Sequence, residues 1–304
     1  MRKIALVGIG KIAQDQHVPS ISSSSEWRLS ATVSRHGRVD GVENFVQIED
    51  LLAARPDIGV VSLCLPPVPR FAAACAALRA GRHVMLEKPP GATIAEVHAL
   101  HDLALAQGVT LFASWHSRAA QAVAAAKVWL SGRKIRGGRI IWREDVRKWH
   151  PGQDWIFAAG GMGVFDPGIN ALSILTEILP QPARVLSAEL DFPANRQAPI
   201  AARLSLSQGI SADFDFRQEG PQTWDMEFET DSGTLALRMG GNVLEINGQP
   251  AGGQMSIMGE YPALYAHMAE LVARSACDVD LSPLVLVADA FMLGRRNSVK
   301  EFEF

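Results

Sequence analysis

The sequence predicts an α/β chain in two parts: a doubly wound parallel sheet over residues 1–118, then an α+β part over residues 119–304 with a large, open, mainly antiparallel sheet. Three observations predict it. A glycine pattern follows a short apolar run at Gly8; short apolar runs then alternate with helical stretches as far as Ala113; and after Gly132 the pattern changes to longer alternating strands joined by tight turns. At 304 residues and 48% hydrophobic content there is room for two cores of ordinary size.

The first part reads in order. Ile4 to Val7 leads into Gly8-Ile9-Gly10-Lys11-Ile12-Ala13, which fits Gly-x-Gly-x-x-Gly/Ala at a strand end. Glycines there let the backbone approach a pyrophosphate, and a helix opening at that point directs unpaired N–H groups and a favourable dipole at the anion. Arg2 and Lys3 ahead of the run imitate a secretory leader, but the run is short and no small-residue cleavage site follows, so it reads as a first strand. Leu29 to Val33 is the second strand, and Ile58 to Leu65 the third, apolar on both faces. Arg70 to Ala80 is an alanine-rich helix stopped by Gly81, and His83 to Leu86 is the next strand. Thr93 and Glu96 form a capping box for a helix that runs to Gln107 and ends at Gly108, and Val109 to Ala113 returns as a strand.

Five strands alternating with helices describe a Rossmann sheet, whose ligand lies beyond the carboxyl ends of the strands. The dinucleotide candidates are therefore Gly8, Ile9, Gly10, Lys11, Ile12, Ser34, Arg35, His36, Leu65, Pro66, Pro67, Glu87 and Lys88. An NAD-selective site usually carries an acidic residue after the second strand to hold the ribose 2′-hydroxyl. Here the residues are Ser34, Arg35 and His36, and a hydroxyl with a guanidinium suits a 2′-phosphate. NADP is the expected cofactor, with NAD tolerated; a solvated basic loop is the competing reading of Arg35.

In the second part, a helix from Ala119 to Leu130 is closed by Gly132. Leu204 and Leu206 alternate up to Gln208-Gly209, and Ile210, Ala212, Phe214 and Phe216 alternate away, as in an antiparallel hairpin. Asp231-Ser-Gly233, Gly240-Gly241 and Asn247-Gly248 supply further turns. Such strands bury one face on helices and leave the other to a second subunit, so a homo-oligomer, dimer or tetramer, is expected through this sheet. Two terminal helices follow, one striped by Leu264, Met268, Leu271 and Val272, the other started by Ser282-Pro283 and lined by Leu284, Val287, Ala288 and Phe291.

Composition narrows the function. Lys plus Arg (29) nearly balances Asp plus Glu (32), for a net charge of -3, so bulk charge points to a small ligand rather than nucleic acid. No run approaches the roughly 18 to 20 apolar residues of a membrane span. Cys64, Cys75 and Cys277 are an odd, scattered set, which fits reduced thiols in a cytoplasm. His98 and His101 lie three apart without an evident third ligand, so no metal is expected. Three polar positions remain for chemistry: Lys88 in Glu87-Lys-Pro-Pro90, and Asp166 with Asn170, four apart at a helix start. Asp166-Pro167 reads equally as an N-cap with proline at the first helical position, Lys88 as a solvated loop lysine and Asn170 as helix surface.

The segment Ala77-Leu-Arg-Ala-Gly-Arg-His-Val-Met-Leu-Glu-Lys-Pro89, together with the N-terminal glycines, resembles the glucose-fructose oxidoreductase and inositol dehydrogenase family over essentially the whole chain. Gly10-Lys-Ile-Ala13, Glu87 to Thr93, Trp115-His-Ser117, Trp149-His-Pro-Gly152 and Phe165 to Leu172 are most similar to its branch of bacterial 1-dehydrogenases for L-arabinose and D-galactose. The wider family places histidine where this chain has Asn170; the branch shares the asparagine, which can orient a hydroxyl but not act as a base. The resemblance implies oxidation of an aldose at its anomeric carbon to the lactone, with hydride passing to the nicotinamide. Asp166 is then the expected proton acceptor, assisted by Lys88 and Asn170, with Lys88 as the alternative acceptor. It implies substrate contacts at His116, Trp149 and Trp224; Glu144 and Asp154 are further candidates to bind hydroxyls. Five of the seven tryptophans lie between Trp115 and Trp155, of which Trp129 and Trp142 are expected in the core. Other sugar, cyclitol or imine substrates, and a non-catalytic sensor of nucleotide redox state, stay open as alternatives.

Overall fold

The computed structural model describes residues 1–253 and 259–304. They divide into two compact units, Met1–Trp115 with Tyr261–Asp280, and His116–Glu260 with Leu281–Phe304. The single cut expected at residue 118 lies near the first crossing, but it does not anticipate that residues 261–280 rejoin the first unit.

The first unit holds a six-stranded sheet: β1 (Arg2–Val7), β2 (Trp27–Val33), β3 (Asn44–Phe45), β4 (Val60–Leu63), β5 (His83–Leu86) and β6 (Leu111–Ala113). Its order is β3-β2-β1-β4-β5-β6 and every pairing is parallel. The unexpected strand is β3, two residues long, too short for an alternation to register. Side chains of β1 split by parity. Ala5 and Val7 join a core with residues of helices Ile48–Ala54, Pro67–Arg79 and Ile94–Gln107, while Ile4 and Leu6 join a second core. Covering that second face falls to the short helix Val18–Ser22 and to Tyr261, Leu264, Tyr265, Met268 and Leu271 of the late helix Glu260–Arg274. A parallel sheet must be covered on both faces, which is the physical reason the late segment returns. Half of the expected capping box forms: Thr93 Oγ1 accepts the Glu96 N–H at 3.2 Å, but Glu96 Oε2 accepts the Ala92 N–H at 3.0 Å rather than that of Thr93, and Gly108 ends the helix at φ 65°.

The second unit holds β7 (Ile135–Arg143), β8 (Val185–Pro193), β9 (Ala201–Leu206), β10 (Ile210–Asp215), β11 (Thr223–Thr230), β12 (Gly233–Arg238), β13 (Val243–Ile246), β14 (Gln249–Gly253) and β15 (Gly294–Val299). They form one mixed sheet in the order β14-β13-β12-β11-β7-β10-β9-β8-β15. It is mainly antiparallel, with β7–β10 and β8–β15 parallel. Helices Val123–Leu130, Phe165–Ile178 and Ser282–Leu293 pack on it, Phe165 meeting Phe214 edge-on at 5.8 Å. Where the first helix was expected from Ala119, a 3-10 turn over His116–Ala119 precedes it. The solvent side of the sheet is a mesh of ion pairs, including Arg143–Asp213 at 2.7 Å, Arg203–Glu189 at 2.9 Å and Arg238–Glu227 at 2.6 Å.

Candidate active site

In the first unit the strand ends supply a backbone cradle. Gly8 follows β1 with φ +88°, and a Cβ there would lie 3.0 Å from the Leu65 nitrogen, so the position requires glycine. At Gly10 nothing lies within 4 Å of where a Cβ would be, which leaves the main chain open to close approach by a phosphate. The segment beyond departs from the expected regular helix: Ala13–His17 is a wide π turn. That turn carries His17 into the interior at 0% exposure. Lys11 pairs with Asp15, and Ile12 is exposed.

After β2, Ser34 Oγ accepts the Gly37 N–H at 3.1 Å, and Arg38 donates to the Ser34 and Gly37 carbonyls at 2.9 and 2.8 Å. A Cβ on Gly37 would fall 2.0 Å from the Ile9 carbonyl oxygen, so this loop lies directly against the glycine segment. Arg35 and His36 are exposed, and Arg35 makes no hydrogen bond or ion pair among the described residues. Leu65, Pro66 and Pro67 lead into the third helix, whose buried Arg70 donates to the Leu65, Glu87 and Pro89 carbonyls.

The Glu87 side chain turns inward, where Oε1 accepts from Tyr261 Oη at 3.0 Å and lies 3.1 Å from His17 Nε2. Burial by itself would hold His17 neutral; Cys64, Tyr265 and Glu87 outweigh it and carry its pKa well above the usual histidine value. Lys88, next along, is half-buried.

In the second unit, a tight group of side chains forms around His150. Asp145 caps the short helix Val146–Trp149 by accepting the Arg147 N–H at 3.0 Å, and this turn delivers Trp149 and His150. His150 Nε2 lies 3.6 Å from Asp166 Oδ2 and 3.7 Å from Glu144 Oε1. Glu144 Oε2 in turn accepts the Trp224 Nε1 hydrogen at 2.9 Å. Trp224 sits between the rings of Trp149 and Trp142, at 5.3 and 5.8 Å. Both carboxylates are about 4% exposed or less, which brings two buried acids to one imidazole. Asp166 is not the cap of its helix: Phe165–Ile178 begins after Val164 with no side-chain cap. One turn on, half-buried Asn170 has a side-chain amide with no partner among the described residues.

Three expectations fare differently. Asp154 is 75% exposed and paired with Arg196 at 2.9 Å, apart from the His150 group, so its carboxylate serves an exterior ion pair. His116 pairs with Glu260 at 2.5 Å. Trp142 is core, as expected, but Trp129 is half-exposed under the Arg133 guanidinium, 4.1 Å from its ring centroid. His150 was visible in the sequence only as a letter of the Trp149-His-Pro-Gly segment; its partners lie at positions 144 and 166, and only the fold joins them. Among the described residues no group of three or more His, Cys, Asp or Glu side chains is placed to hold a metal ion, and no helix is long and apolar enough to cross a membrane.

Known proteins with the same organisation are close at hand. Residues 2–114 match the family model described as an oxidoreductase family with an NAD-binding Rossmann fold. The galactose 1-dehydrogenase of Pseudomonas fluorescens is 44% identical over 99% of this chain and 98% of its own length. The chain belongs to the Gfo/Idh/MocA oxidoreductase family. Among solved structures, the D-galactose-1-dehydrogenase of Rhizobium etli superposes with a TM-score of 0.93 at 52% identity, over 99% of this chain and 97% of that one. KijD10, a 3-ketoreductase from Actinomadura kijaniata crystallised with NADP, shares the fold at a TM-score of 0.83 and 21% identity over 98% of this chain and 99% of its own. As a Gfo/Idh/MocA member the protein has the NAD(P)-binding Rossmann domain of an oxidoreductase family.

Proposed function

We propose that this family member is an aldose 1-dehydrogenase that oxidises the anomeric carbon of D-galactose, L-arabinose or both to the lactone, using NADP in preference to NAD. The observation that carries the reading is the group in the second unit: two buried carboxylates, Asp166 and Glu144, facing one imidazole, with the unbonded amide of Asn170 one helical turn away. A polyol needs several donors and acceptors beside an apolar face, and Trp149 and Trp224 supply that face. The full-length likeness to two galactose 1-dehydrogenases supports the same substrate class.

A nicotinamide dinucleotide held along Gly8, Gly10, Ser34 and Arg35 would supply the acceptor for the C1 hydrogen as hydride. Asp166 receives the C1 hydroxyl proton, so that loss of one hydride and one proton yields the lactone. Asn170 orients that hydroxyl. The Lys88 ammonium opposes negative charge as it develops on the C1 oxygen. Glu144 and His150 engage ring hydroxyls, Glu144 held in place by the Trp224 N–H. Ser34 accepts a hydrogen bond from Gly37 and keeps its own proton to donate, and Arg35 carries an uncompensated guanidinium; the two suit a 2′-phosphate. The ion-paired outer face of the second unit's sheet is the surface we assign to a homo-oligomer, and a cytoplasmic setting suits the three free cysteines.

Steady-state reduction of NADP and NAD with D-galactose, L-arabinose, D-glucose, D-xylose and myo-inositol tests the reading. Turnover confined to the first two sugars and faster with NADP is the expected result. Preference for the cyclitol would move the substrate within the family. Tight NADP binding with no turnover on any sugar would favour a sensor instead.

A further inference from the structure

We propose that Glu87 is a positioning residue: its buried carboxylate, gripped by the late helix and by His17, fixes the main chain at Lys88 and so aims the ammonium. The inference rests on the role given to Lys88 above.

Glu87 is 4% exposed and divides its two oxygens between two tasks. Oε1 takes the Tyr261 hydroxyl at 3.0 Å and faces His17 at 3.1 Å, whereas Oε2 accepts the Lys88 backbone N–H at 3.0 Å. The far side of His17 is held as well, its Nδ1 lying 2.7 Å from Tyr265 Oη. Arg70 donates to the carbonyls of Glu87 and Pro89, on either side of Lys88. The main chain around Lys88 is therefore held at three points, two on the peptide before it and one at the Pro89 carbonyl, all by buried side chains.

A lysine side chain has four rotatable bonds and strong hydration, so its aim depends on how firmly its Cα is fixed. Burying a carboxylate is unfavourable unless it is fully paired, and a loop needing only to be closed could use neutral groups. Tyr261, from a segment some 170 residues away, and His17, from a π turn and itself held by Tyr265, converge on the carboxylate of the residue before Lys88. The late helix thus has a second task besides covering the sheet.

The test is a double-mutant cycle on the intact protein with Glu87→Gln, Lys88→Ala and the pair, reading kcat, the KM for sugar and NADP, and melting temperature. Glu87→Gln should lower kcat by about 10- to 100-fold, as expected for a misplaced catalytic group, with the KM for NADP nearly unchanged. In the Lys88→Ala background it should change kcat by less than about twofold, because the residue it positions is gone. Equal fractional losses in both backgrounds, or wild-type kcat in Glu87→Gln, would overturn the proposal. Tyr261→Phe keeps the charge pair and provides a folded substitute should Glu87→Gln not fold; it should show a smaller loss with the same dependence on Lys88. If the wild-type protein oxidised no sugar, the functional reading would fail on its own, and the ζ resonance of isotopically labelled Lys88 would still decide the positioning. A resonance displaced or broadened by Glu87→Gln supports it, and an unchanged one sinks it.

Discussion

On the proposed function, the two units prepare for their ligands by different means. The first relies on backbone: the open main chain at Gly10, the left-handed Gly8, and loops locked by Arg38 and Arg70. The second relies on side chains carried by three separate elements, namely Glu144 just past β7, His150 after a short helix and Asp166 inside a long one. A dinucleotide can be held by N–H groups that any sequence possesses, provided glycine permits the approach. A sugar has to be recognised through hydroxyls, and that takes particular side chains at particular distances.

If this division of labour is right, substitutions in the second unit should damage turnover and spare the nucleotide. The largest effect is expected for Asp166→Ala. We expect kcat to fall by about 10²- to 10⁴-fold, the usual worth of a positioned proton acceptor, with NADP affinity in a fluorescence titration unchanged. A parallel fall in NADP affinity would break the comparison. His150→Ala comes next. Losing hydrogen bonds to a sugar from a site with charged neighbours should lower kcat/KM by roughly 10- to 100-fold, mostly through the KM for sugar. An effect confined to kcat would move His150 from binding to proton transfer.

The same contrast explains what could be read in advance. Glycine at φ +88°, a Thr-x-x-Glu cap and a left-handed Gly108 are local constraints, and local constraints leave local patterns. The inward turn of Glu87 is not local: its partners are His17 and Tyr261, and no spacing in the sequence links them. Nor is the return of residues 261–280, whose apolar stripe looks the same whether it covers one sheet or the other. His150 escaped for the same reason, and Asp154 misled because nothing in the sequence reveals that Arg196 lies beside it. Trp129 was expected in the core on composition alone, whereas a guanidinium covers its exposed face.

In the first unit, where backbone dominates, single side chains should matter less, with one exception. Arg35→Ala should raise the KM for NADP by about tenfold, the worth of one charge-assisted hydrogen bond, and leave the KM for NAD within error. Equal effects on both nucleotides would remove the 2′-phosphate from Arg35 and leave it as solvated loop surface.

The smallest expected effect sharpens the comparison most directly, because Thr93 and Asp166 occupy similar ground. Each stands at the start of a 14-residue helix, and each belongs to a residue type that commonly caps one. Thr93 does cap, accepting the Glu96 N–H, whereas Asp166 sits inside the first turn with its carboxylate directed at His150. Thr93→Ala should therefore lower stability by about 1 kcal/mol in denaturant unfolding and leave kcat and both KM values unchanged. Asp166→Ala should do the reverse, removing turnover with little loss of stability, since a buried carboxylate is itself an electrostatic burden on the fold. If Asp166→Ala unfolded the protein as Thr93→Ala is expected to weaken it, Asp166 would be a structural residue, and the proton acceptor would have to be sought among its neighbours Glu144 and His150.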